Sequence, residues 1–135
     1  MATAADRRTM RMVTSVGFYL SGVIAAGIIF IGARFLLAPS SAAAGYGVPA
    51  STEPLSRGYL SAKGIRDIAS GLFAAIFIAN GSAHALGWFM LVAVIIPIAD
   101  AAIVLHHGGS KGIAFGIHGS TAAAILIISG LLLFG

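Results

Sequence analysis

The sequence predicts an all-α integral membrane protein: a four-helix bundle of antiparallel up-down topology, with an interfacial cap loop between helices one and two. Three observations carry this reading. Charged residues make up 9% of the 135 and hydrophobic residues 59%, whereas a soluble domain has about 25% charged residues. With a mean hydropathy of +1.00, a chain this short could not hide its apolar surface in water. Four stretches also approach the roughly 20 apolar residues that a helix needs to cross a hydrocarbon core of about 30 Å.

Residues 1–12 carry Arg7, Arg8 and Arg11 and read as a flexible basic tail ahead of a single domain at 13–135. The first helix is expected over about 13–38, where Pro39 stops it because proline has no amide hydrogen to donate. Its apolar run from Val13 to Ala33 is too long for the core of a secretory signal, so it reads as a retained span. The cap loop, 39–60, contains "PSSAAAGYGVPASTEPLSRGY". Its Pro and Gly residues preclude a long helix, leaving room for one helical turn at Ser41 to Ala44, and Tyr46 and Tyr59 are suited to anchoring at the interface. The remaining helices are expected over about 61–80, 86–105 and 113–134, joined by "NGSAHALG" and "HHGGSKG". Trp88 and Phe89 read as an interface belt. Pro97 is expected to kink the third helix or to free the carbonyl of Ala93.

Short connections make successive helices antiparallel, which places the polar residues of all four near one face. Arg34, Arg66, Asp67, Asp100 and His118 each fall roughly 6–9 Å inside it, while the opposite half of the bundle has no charged residue. Lys63 can reach the headgroups along its flexible stem. Asp67 and Asp100 cannot, and a charge at the centre of a span costs about 2.5–3.5 kcal/mol. They need a cation, a hydrogen bond, water or a proton, and Arg34 and Arg66 read as the available cations. Helical phase nonetheless puts Lys63, Asp67 and Ser70 on one face. Small residues recur at Gly17, Ser21 and Ala25 in helix one and at Gly112, Gly116, Ser120 and Ala124 in helix four. These rows predict tight packing of those two helices, within one chain or between copies in a homo-oligomer.

Several function classes fall away. The formal charge of +4 comes from only eight scattered Lys and Arg, without the aromatic-and-basic stripe of a nucleic-acid binder, and suits anionic membrane lipids. With no cysteine there is no disulfide, thiolate metal site or thiol nucleophile. His106 and His107 are adjacent and point about 100° apart, so no metal and no cofactor is expected. His84 reads as a solvated turn residue.

Three readings of the polar layer stay open. The first is a pocket under the cap, floored by the candidate catalytic groups Asp67 and Asp100 and the binding residues Arg34, Arg66, Lys63, His118 and Tyr46. It would hold a lipophilic molecule of quinone, isoprenoid or acyl type. An Asp kept protonated by apolar neighbours could act there as the general acid of an isomerase or cyclase. The second is a non-catalytic subunit or scaffold whose salt bridges fix helix registry. The third is a small proton-coupled transporter, against which the charge-free half lacks a second gate. The N-terminal arginines favour a cytoplasmic N-terminus in a bacterial inner membrane, a bias that Arg57, Lys63 and Lys111 nearly cancel.

The stretches "GARFLLAPSSAAAGYGVP", "KGIRDIASGLF" and "LGWFMLVAVIIPIADAAIVL" resemble, in order over about residues 27–134, an uncharacterised domain-of-unknown-function family. Its members are small four-helix membrane proteins of bacteria and fungi, akin to the DoxX-like group. The resemblance implies the four-helix architecture and assigns no catalytic residue.

Overall fold

The computed structural model describes residues 3–48 and 54–135, and the elements among them are all helical. The first helix, α1, runs from Ala4 to Leu37 and begins well before the apolar run. Its start is fixed by a reciprocal cap: the Asp6 amide donates to the Thr3 hydroxyl at 3.1 Å, and the Thr3 amide donates to the Asp6 carboxylate at 2.8 Å. Two of the donors orphaned at a helix start are thereby satisfied. The described part of the expected flexible tail is therefore helix, and with 34 residues α1 is about 51 Å long.

Pro39 ends α1 as expected but also opens α2 (Pro39–Tyr46), because its missing amide hydrogen is no loss in a first turn. The cap thus holds an eight-residue helix where one turn was anticipated. It closes at Gly47, whose φ of 100° is a conformation that other residues rarely adopt. A side chain there would also strike Ile113. Pro54 likewise starts α3 (Pro54–Ala79) inside the stretch read as loop. Helices α4 (Ala83–Ala93) and α5 (Ile95–His106) are one span broken at Val94. The Pro97 ring conflicts with the carbonyl four residues back, that of Ala93, which puts the break where the sequence placed the kink. The last span comprises α6 (Lys111–Ile113), a π-helical turn (Ala114–Gly119) and α7 (Ser120–Phe134).

Among the described residues, three helices are long and apolar enough to cross a membrane: Ala4–Leu37, Ala83–His106 and Lys111–Phe134. The expected fourth span, α3, has 26 residues, but every 18-residue stretch of it contains Lys63, Arg66 and Asp67.

The most extensive helix pairing is α1 with α3, and glycine makes it close. A Cβ on Gly32 would lie 2.5 Å from the Gly64 carbonyl oxygen, and one on Gly64 would lie 2.7 Å from that of Gly32. This revises the expectation that helices one and four form the tight pair. α1 does meet α7, with Gly17 against Leu132, yet Gly112, Gly116 and Ser120 of helix four face outward. The charge-free half is filled by Ala25, Ala74, Leu86, Met90, Val94, Ile125, Ile128 and Leu132. A smaller cluster of Phe35, Ala42 and Ala43, with Tyr46 and Leu60 against it, seats α2 at the polar end. Between these regions the helices part company: α4 packs on α3 and α7, but beyond Val94 α5 stays with the last span and its backbone scarcely approaches α3.

Gly64→Val is expected to lower stability by about 1–3 kcal/mol, the usual cost of overpacking. Gly22→Ala, where an added Cβ meets nothing within 4 Å, should be neutral or slightly stabilising. Thermal unfolding in detergent, followed by circular dichroism, compares the two; an unchanged midpoint for Gly64→Val would rule out the close approach.

Candidate functional site

The polar centre is assembled by four elements, each for a local reason. Lys63 and Asp67 are one turn apart on α3 and face the same way. Asp100 sits one turn beyond Pro97 on α5. His118 lies in the π-helical turn, in the buried row Ala114, His118, Ala122, Ile125 and Ser129. Tyr46 is the last residue of α2, held there because Gly47 fits between Val104, Gly109 and Ile113.

The Lys63 ammonium donates to both carboxylate oxygens of Asp67, at 3.0 and 3.3 Å. It also lies 3.9 Å from Oδ2 of Asp100. The Tyr46 hydroxyl donates to Oδ1 of Asp100 at 2.8 Å. The Tyr46 backbone carbonyl in turn accepts from Nε2 of His118 at 3.0 Å. A carbonyl can only accept, so that nitrogen carries the hydrogen, and Nδ1 faces Oδ2 of Asp100 from 3.9 Å. Aromatic rings close the remaining sides: Lys63 Nζ stands 5.1 Å from the Phe35 ring centroid and 5.2 Å from that of Tyr46, within cation–π range. The Tyr46 and His118 rings meet edge to face at 4.9 Å.

Asp67 and His118 are buried, whereas the side chains of Lys63 and Asp100 keep 26% and 18% exposure. The phenol of Tyr46, on the cap rather than in a span, is pushed above its ordinary range. Burial is the larger cause, followed by its hydrogen bond to Asp100 and the negative charge of Asp100 and Asp67. Tyr46 is therefore a neutral donor at physiological pH.

Of the seven residues singled out in the sequence, five converge: Tyr46, Lys63, Asp67, Asp100 and His118. The two arginines do not. Arg34 is exposed and donates to the Ser41 hydroxyl at 3.3 Å, tying the start of α2 to the end of α1. Arg66 is exposed and makes no ion pair among the described residues. The cation serving both carboxylates is Lys63, the residue expected to turn to the headgroups. Phe35 went unnoticed, its only signal being a position beside Arg34 at the polar end. His84 is more than a solvated turn residue, since its Nε2 accepts from the Trp88 indole at 3.0 Å. It rims a shallow apolar groove of about 350 Å³ against Leu126 and Leu133, at the end away from the polar centre.

Membrane-length apolar helices around an ionic centre define a helical membrane protein. Its family is given by comparison: the chain belongs to the domain of unknown function DUF4267, whose model matches residues 25–132. No curated protein and no solved structure matches it.

Tyr46→Phe keeps the ring and removes the donor to Asp100, and a hydrogen bond to a charged group is worth about 1.5–3 kcal/mol. Its midpoint should fall at pH 7. The raised phenol also sets a sign with pH. A group whose folded value lies above its unfolded value of 10.0 stabilises fully below that value, and the contribution is lost as pH rises from there through the folded value. Tyr46→Phe should thus show a shallower loss of stability above pH 10 than the native chain; parallel pH profiles would show that the phenol is not held in this way.

Proposed function

We propose that α3 is a fourth span, antiparallel to its neighbours, and that the protein binds the polar head of a lipophilic molecule at Asp100, between α3 and α5. The single observation carrying this is the parting of those two helices on the polar side. Across the gap Lys63 of α3 reaches Asp100 of α5 through side chains rather than backbone packing, with Tyr46 of α2 joining from the cap, and both Lys63 and Asp100 stay partly exposed. A cleft lined by apolar helices with a few convergent polar groups is the usual form of a small-molecule site. The membrane placement of α3 is supported by its close contact with α1 along Gly32, Gly64 and Gly71, and by offset of the Asp67 charge by Lys63. Kinship with the DoxX-like group rests on the same four-helix arrangement. In a bacterial inner membrane with the N-terminal arginines inside, the site opens on the outer side.

The reading is binding rather than acid catalysis. Lys63 donates to Asp67 and Tyr46 donates to Asp100, so the bonded oxygens of both carboxylates act as acceptors. A second reading, a structural clamp in a non-catalytic subunit, is favoured by a different observation: Lys63, Tyr46 and His118 each have a hydrogen bond within the cluster.

Native mass spectrometry of mildly solubilised protein, paired with organic extraction, separates the two. Ligand binding predicts a stoichiometric lipophile that Asp100→Asn loses. An empty native protein, with Asp100→Asn merely less stable, would replace the binding reading with the clamp.

A further inference from the structure

We propose that this site selects a protonated amine: an amphiphile whose ammonium head sits against Asp100 and whose tail lies along the exposed apolar surface of α5 beside it. The proposal rests on the binding reading above and narrows it, and it departs from the quinone or acyl head that the sequence suggested.

Charge comes first. The arginines that would have welcomed an anionic head face outward. The groups turned inward are two carboxylates, Asp67 and Asp100, and one ammonium, Lys63. Two carboxylates thus face one lysine ammonium there, and an anionic head would meet repulsion in a region of low dielectric.

Geometry comes second. The centre already holds an ammonium, that of Lys63, which bonds Asp67 while standing over the Phe35 and Tyr46 rings. Carboxylates beside aromatic faces are the surroundings in which substituted ammonium groups are recognised.

The third point is an open acceptor. Oδ1 of Asp100 receives the Tyr46 hydroxyl. Oδ2 has Lys63 Nζ at 3.9 Å, beyond hydrogen-bond length, and no nearer donor among the described residues. The Asp100 side chain keeps 18% exposure, so this oxygen is open to an incoming donor, and a ligand ammonium supplies three. Ile96 and Ile103, one turn to either side of Asp100, are each 42% exposed and offer the tail an apolar track.

The test uses the full chain in nanodiscs of neutral lipid at pH 7, titrated with dodecylamine, dodecanol and dodecanoate, and read by thermal midpoint and direct binding. Dodecylamine should bind at least about tenfold tighter than the alcohol, the scale of one added charge-assisted contact, and dodecanoate should give no shift. Asp100→Asn should remove the preference for the amine. Lys63→Met, which withdraws the internal ammonium but keeps the stem's bulk, should instead enlarge the amine-induced shift. Dodecanol or dodecanoate binding as well as the amine would overturn the amine selectivity and leave lipophile binding standing. A response to none of the three would remove the binding reading itself. An amine shift that persists in Asp100→Asn and is not enlarged in Lys63→Met would place the amine elsewhere and overturn the proposal.

Discussion

One carboxylate governs the polar half of this molecule. Asp100 lies well inside a span, on a side chain too short to reach the headgroups, so its partners have to come to it. A tyrosine is delivered by a short helix that folds back over the bundle end, and a lysine by α3. Their arrival explains the cap: α2 is seated by a few small residues, but its last residue makes two hydrogen bonds, one through its hydroxyl and one through its backbone. The glycine contacts serve the same end. They draw α1 against α3 until Phe35 stands beside Lys63, giving the ammonium an aromatic wall where the bilayer would otherwise be.

Much of this could be read from residue order. Membrane character, the three most apolar spans, the break before Pro97 and the gathering of polar residues at one end all follow from composition and helical spacing. The identity of the inward cation did not, although the information was there. Arg66 adjoins Asp67, and adjacent helical residues point about 100° apart, while Lys63 is one turn away on the same face. The Thr3–Asp6 cap, too, was visible as a spacing and was passed over because the apolar run starts later. The His118 bond was not legible, because its acceptor is a backbone carbonyl 72 residues away, and no side-chain pattern announces such a partner. The π-helical turn was equally silent.

The match to the DUF4267 model begins at residue 25 and ends at 132, and every member of the polar centre lies within that range. The basic start of α1 lies outside it. The charges that keep α3 from qualifying as an apolar span are also less costly than their number suggests, since two of the three, Lys63 and Asp67, offset each other within one turn. Charge count and charge placement differ here, and placement is what the bilayer responds to.

The sequence separation of these contacts bears on how the chain is made. Lys63 and Asp67 can pair as soon as α3 forms, because they are neighbours on one helix. Asp100 meets Tyr46 only across 54 residues, and the histidine that steadies Tyr46 arrives with the last helix to emerge during synthesis. The third helix must therefore enter the membrane together with its waiting partners, or its carboxylate spends that interval at the water interface. The closing of the polar centre is then a late event, reporting that every span has been inserted and that the cap has found its place.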